Sequence, residues 1–230
     1  MFQVAFDFDF KEFQRNIQQY QRTKTKPYHF TPQERAAITQ ACGRMARASA
    51  QAVLPLPDPI RDKLMADYFH AHSHLDRQEV LRNLRTLNDM IQDGGRKVTF
   101  VDGKGRHLHI TMNPDNIDQY PTWRATPATT REMAGAEAWV HPLPGGAPRH
   151  GTHHVGSGIR IILGAAWSHV TTLRGRAATI YHELTHKLLG TNDHRYGAYA
   201  CKLLPKNMQL RNADNYCCFI DDYMRLKMIA

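Results

Sequence analysis

The run His182-Glu183-Leu184-Thr185-His186 sets two imidazoles four residues apart, with a carboxylate directly after the first. On an α-helix four residues turn the chain through about 400°, so His182 and His186 project from one face, within about 40° of each other. That spacing lets both rings reach one zinc ion, while Glu183, about 100° round the helix, can address a water on that ion. The chemistry such a pattern supports is hydrolysis by metal-activated water, with the carboxylate as proton acceptor.

Two imidazoles need a third partner. Gly190 follows the last apolar residues of the run and is suited to end the helix in a left-handed conformation. A tight turn through Thr191 and Asn192 would then return Asp193 to the side of the histidines. A carboxylate oxygen is an acceptable zinc ligand, and three protein ligands leave a fourth position for water. The helix itself can serve as a platform. Measured from His182, the residues Ala177, Ile180, Tyr181, Leu184 and Leu188 fall between about 160° and 260°, so the apolar stripe lies behind the metal face.

At this point the sequence resembles a known family. Gly190-Thr191-Asn192-Asp193-His194-Arg195-Tyr196-Gly197 is similar to the Gly-Thr-x-Asp-x-x-Tyr-Gly element that follows the two histidines in the aspzincin metallopeptidases, the deuterolysins and lysine-specific metalloendopeptidases. Asn212-Ala213-Asp214-Asn215-Tyr216 with Phe219 resembles the Asn-Ala-Asp helix of the lysine-specific branch. The strand Ile159 to Leu163, with Ala165-Ala166-Trp167, resembles the family's substrate-edge strand. The resemblance implies one catalytic zinc ion on His182, His186 and Asp193, Glu183 as general base, and Tyr196 donating to the oxyanion. It also implies a polypeptide substrate, with Asp214 binding a substrate cation. The chain departs from the family pattern twice: only three residues separate His186 from Gly190, which demands a tight turn, and Cys217 stands where the lysine-specific branch has a second acid.

The elements that must position these residues read as follows. Residues 1–30 form an N-terminal arm with aromatic anchors, and 31–230 a single zincin-like catalytic domain. Within it, 31–95 is helical, 96–172 holds sheet and loops, and 173–230 carries the active-site helices. Thr31-Pro32-Gln33-Glu34 signals a capped helix start, and Pro55 and Pro57 stop that helix near Val53. Asp58-Pro59 opens a second helix. Asp76 opens a third, with Val80, Leu81, Leu84, Leu87 and Ile91 at helical spacing before Gly94-Gly95. Residues 97–101 and 107–111 flank Asp102-Gly103-Lys104-Gly105 as a hairpin. Residues 113–158 read as largely irregular, and 159–163 as a strand. Helices return at about 175–189, 196–204 and 212–227. The expected class is α+β, predominantly helical, with a small antiparallel sheet beside the active-site helix.

Composition narrows the function classes. The formal charge is +9, yet no zinc-finger, helix-turn-helix or aromatic RNA-binding signature accompanies it, so no specific nucleic-acid partner is expected. No apolar run is long enough to span a membrane. The first ten residues carry acids and lack the basic start of a secretory signal, which points to a leaderless or specialised export route if the protein leaves the cell. Cys42, Cys201, Cys217 and Cys218 show no paired metal-binding spacing; Cys201 could bridge to Cys217 or Cys218. His70 and His74 share the i, i+4 spacing without a following Glu, and His150, His153 and His154 lie in a glycine-rich stretch. His194 has no assigned part. Asp221 and Asp222 are candidate partners of a zinc-bound imidazole.

The expected activity is therefore zinc-dependent endopeptidase. A bacterial effector or toxin role follows as a biological expectation, with an inhibitor or immunity protein to restrain it. The rival readings are a zinc amidase acting on peptidoglycan stem peptides and a non-catalytic binding module on a zincin scaffold.

Overall fold

A computed structural model describes residues 30–92, 97–101, 107–111, 138–140, 159–163, 167 and 170–229. The anticipated N-terminal arm, the Gly94-Gly95 stop, the hairpin turn at 102–105, nearly all of the irregular region and His150, His153 and His154 lie outside these residues. Helix α1 spans Pro32–Ala52, α2 Pro59–Phe69 and α3 His74–Gln92. Strands follow at Lys97–Val101 (β1), His107–Thr111 (β2), Ala138–Val140 (β3) and Ile159–Leu163 (β4). The C-terminal part holds α4 (Leu173–Leu189), α5 (Ala198–Lys202), α6 (Lys206–Gln209) and α7 (Ala213–Leu226). Among the described residues no helix is long and apolar enough to cross a membrane.

The helix starts are set by side chains that satisfy free backbone N–H groups. Thr31 Oγ1 accepts from Glu34 N at 3.2 Å and Glu34 returns a carboxylate to Thr31 N at 2.8 Å, which completes a capping box. Asp58 accepts from Ile60 N and Arg61 N, both at 3.1 Å. Helix α3 begins two residues earlier than Asp76 suggests, because Ser73 is the residue that caps it. Ser73 Oγ accepts from Asp76 N, and Asp76 answers on Ser73 N. Likewise α4 begins at Leu173, not Gly175: Thr172 Oγ1 accepts from Gly175 N at 3.0 Å. A Cβ on residue 175 would come within 2.9 Å of that oxygen, so glycine leaves the cap its room.

The sheet has strand order β2-β1-β4-β3. Pairs β1–β2 and β3–β4 are antiparallel, but β1 and β4 run parallel, with Val98 opposite Ile159 and Phe100 opposite Ile161. This corrects two expectations. The sheet is mixed rather than antiparallel, and β4 lies in its interior rather than at an edge. The parallel pairing requires the whole connection between β1 and β4 to cross over, which local pattern does not specify.

Val98, Phe100, Ile161 and Leu163 are buried at period two, giving the sheet one apolar face. That face joins a cluster that also takes in the stripe of α4 (Ala177, Ile180, Tyr181, Leu184, Leu188) and Tyr216, Phe219, Ile220 and Tyr223 of α7. Helix α4 packs against α7, α1, α3 and the strands β3 and β4. It is the central element, and its stripe is buried as the 3.6-residue period requires.

Candidate metal centre

Helix α4 brings His182 and His186 together, and the turn after it brings Asp193 to both. His182 Nε2 and His186 Nε2 are 3.1 Å apart. Asp193 Oδ1 lies 3.1 Å from the first and 3.3 Å from the second. With metal–ligand bonds of about 2.0–2.1 Å, the edges of a tetrahedron are about 3.3 Å. The three donor atoms therefore form a triangle of the size that one zinc ion caps. Two nitrogens and one oxygen are also a donor set that zinc accepts.

Proton accounting shows why these atoms converge. Thr185 Oγ1 donates to the His182 carbonyl at 2.7 Å, so the Thr185–Thr191 hydroxyl contact at 2.8 Å uses the Thr191 proton. His186 Nδ1, 2.8 Å from the Thr191 carbonyl, must then carry the hydrogen, because a carbonyl only accepts. On His182, Nδ1 faces Asp214 Oδ1 at 3.3 Å and carries its hydrogen in the same way. Both Nε2 lone pairs thus point, with Asp193, at one place. Acceptors gathered this closely are satisfied by a cation.

The electrostatics agree. Burial opposes a charged imidazole on His182, yet Asp193 and Asp214 outweigh it and raise the pKa far above the ordinary histidine range. Burial would raise Asp193, but its two histidine partners hold it well below the usual carboxylate range. Asp214 is likewise lowered by His182 and by the Gly197 amide, against burial. A proton and a metal ion compete for the same lone pairs, so a site that draws one draws the other.

The turn is held from outside. Gly190 takes φ 66° and donates its N–H to the Thr185 carbonyl, which turns the chain sharply after Leu189. Asn192 then pairs with the chain entering α7: Asn192 N donates to Arg211 O at 2.7 Å, and Ala213 N to Asn192 O at 3.0 Å. Asn212 is fully buried. Its Oδ1 accepts from His194 N and Arg195 N, and its Nδ2 donates to Arg195 O. These bonds fix the backbone on both sides of Asp193. Thr185, Thr191 and Asn212 have no assigned part in the sequence reading. The available signal for Asn212 is its place at the head of the Asn-Ala-Asp run.

The remaining candidates are placed as follows. Glu183 is buried beside His182 on α4, 4% exposed. Tyr196 is 64% exposed and its ring stacks 6.2 Å from that of His182. Burial and the nearby Asp193 carboxylate push its hydroxyl up to about 12. The helix expected from 196 is shorter, because Gly197 at φ 82° breaks the chain direction before α5. Asp214 is turned inward. Its Oδ2 accepts from Gly197 N at 2.5 Å, its Oδ1 faces His182, and the residue is 9% exposed. Asp221 pairs with Arg174, while Asp222 takes Tyr68 and Arg225, so neither supports an imidazole.

Residues 161–221 match the model of the aspzincin family, described as lysine-specific metallo-endopeptidase. This segment contains every residue of the centre. No curated protein sequence matches the chain. Among solved structures, the fold is similar to that of a zinc peptidase from Grifola frondosa, at a TM-score of 0.54 and 18% identity, over 84% of this chain and 97% of that one. The zinc-sized donor triangle lies inside residues 161–221, the segment that matches the aspzincin family of zinc metalloendopeptidases.

Proposed function

We propose that His182, His186 and Asp193 hold the catalytic zinc, that Glu183 is the general base and that Tyr196 stabilises the oxyanion during peptide-bond hydrolysis. The observation carrying this reading is the donor triangle of 3.1, 3.1 and 3.3 Å with both Nδ1 hydrogens engaged elsewhere. When bound, zinc supplies Lewis-acid chemistry, acidifying water toward neutral pH and polarising a carbonyl. Glu183, on the same helix and shielded from bulk water, accepts the nucleophile's proton and returns it to the leaving amine. Tyr196 keeps its phenolic proton at neutral pH, as its raised pKa requires, and can donate it as a hydrogen bond where negative charge develops.

Asp214 acts in this proposal as a positioning residue. Its carboxylate fixes the His182 ring and tautomer rather than meeting substrate. With Asp214 engaged and Cys217 in place of a second acid, a strong preference for lysine after the cut is not expected. Residues 31–230 are read as one catalytic domain, supported by a continuous buried cluster from Phe30 to Ile229. The effector role and its restraining inhibitor have the net charge of +9 as their support. An acidic protein that co-purifies and blocks digestion would establish them.

The test is digestion of an unfolded protein mixture by wild type and by Glu183→Gln, both loaded with zinc, with cleavage sites read by mass spectrometry. Cleavage by wild type, reduced by about 10²–10⁴ in the variant, is expected. Equal cleavage by both would remove Glu183 as base. No cleavage by either, with zinc bound, would favour an amide outside ordinary polypeptides.

A further inference from the structure

Behind the metal centre, two cysteines meet on one carboxylate oxygen. Cys201 lies on α5, and Cys218 lies on α7 one turn after Asp214. Each thiol donates to Asp214 Oδ2 at 3.7 Å, and the two sulfurs and that carboxylate lie within 4.8 Å of one another. Cys217 belongs to a different group, since its thiol shares a cluster with His182 and Asp214. Cys42 is buried on α1. Of the four cysteines, only Cys201 and Cys218 are brought to a common point.

We propose that Cys201 and Cys218 are a redox modification site, forming a reversible disulfide by exchange with a low-molecular-weight disulfide such as glutathione disulfide. Bond formation closes the sulfurs from within 4.8 Å to the bonded separation of about 2.05 Å. Cys218 is partly exposed and Cys201 is not, so exchange begins at Cys218. Its thiolate attacks one sulfur of glutathione disulfide and releases one glutathione thiolate. The Cys201 thiolate then attacks the Cys218 sulfur of the mixed disulfide and releases the second. The two cysteine protons go to the two glutathione molecules, which leave reduced. Cys201, burial and the Asp214 carboxylate all push the Cys218 thiol up, which makes the exchange slow and leaves the pair reduced in a reducing compartment.

The bond would tie α5 to α7 around α6 and the Asn212 clamp. It would therefore fasten the segment carrying Asp193 and Tyr196 to the helix carrying Asp214. Closing a loop of this length constrains the unfolded chain, and a rise in Tm of about 5 °C is expected.

The test uses the zinc-loaded full chain, equilibrated across glutathione disulfide to glutathione ratios, then alkylated and mapped by non-reducing peptide mass spectrometry. Expected is one disulfide joining the Cys201 peptide to the 217–218 peptide, present in wild type and Cys217→Ser and absent in Cys218→Ser. Tm should rise with oxidation and fall back with dithiothreitol. Only glutathionylated cysteines, no oxidation at the highest ratio, or a disulfide that persists in Cys218→Ser would overturn the proposal. So would a second equivalent of zinc lost in Cys201→Ser, which would make the cluster a metal site. The readout is thiol chemistry, so its failure is separate from failure of the peptidase mechanism.

Discussion

His182 and Asp214 face each other across the α4–α7 contact, with His182 Nδ1 3.3 Å from Asp214 Oδ1. The pair joins α4 to α7, the helix with which α4 makes its most extensive contact. In the proposed centre the pair leaves Nε2 of His182 to face the metal. Asp214→Asn keeps the size of the side chain and removes its charge. Zinc affinity is expected to fall about 10–100-fold. Tm of the metal-free protein should fall as well, because His182 loses one of the two carboxylates that stabilise its charge. Chelator competition measures the affinity, and an unchanged affinity would mean that Asp214 does not position His182.

Asp193 contributes its oxygen from outside the helix, on a turn more exposed than either histidine. Asp193→Ala should abolish stoichiometric zinc binding while the fold persists, because the carboxylate adds nothing to the core. Metal content by elemental analysis, beside circular dichroism, checks both halves. Full zinc retention would require a different third ligand.

Asn212 holds the turn from a fully buried position. Asn212→Ala leaves the His194 and Arg195 amides and the Arg195 carbonyl without their side-chain partner. A loss of about 2–3 kcal/mol is expected in urea unfolding. Weaker zinc binding should accompany it, since Asp193 would lose its fixed approach. A variant as stable as wild type would show that the backbone bridge at Asn192 suffices.

The acid limb of stability should depend on Asp58, remote from the metal. Burial would raise its pKa, but the Tyr223 hydroxyl, the Arg61 amide and Lys227 hold it below the ordinary value. A carboxylate whose folded pKa is depressed contributes stability that is present above its unfolded pKa of about 3.9 and is lost as pH falls through the folded value. Asp58→Asn should cost about 1–2 kcal/mol at pH 7 through the weakened cap and the lost contact with Lys227. The difference from wild type should shrink below about pH 3.9. Urea unfolding from pH 7 to 3 tests this, and parallel curves at every pH would contradict it.

Much of the site is legible in the chain because its parts are local. The placement of His182, Glu183 and His186 follows from helical period, and the left-handed Gly190 from the need to stop a helix and turn. Capping chemistry at Thr31 and Asp58 acts within three residues, so the helix starts there could be read directly. Where two polar residues share one cap reciprocally, as Ser73 and Asp76 do, local pattern does not say which of them opens the helix.

What the sequence by itself determined is the metal-facing helix, the turn that follows it and the residue types gathered there. Tertiary structure alone decided the partner of His182 Nδ1 and those of the Asp214 carboxylate. Asp214 turns inward because Gly197 and His182, 17 and 32 positions away, meet it across a packed interface. The sheet order was decided in the same way: β1 pairs with β4 across a long crossover, and strand pattern sets which side chains share a face without naming the neighbour. Periodicity acts over a turn of helix or a pair of residues; contacts between distant segments depend on how the whole core closes.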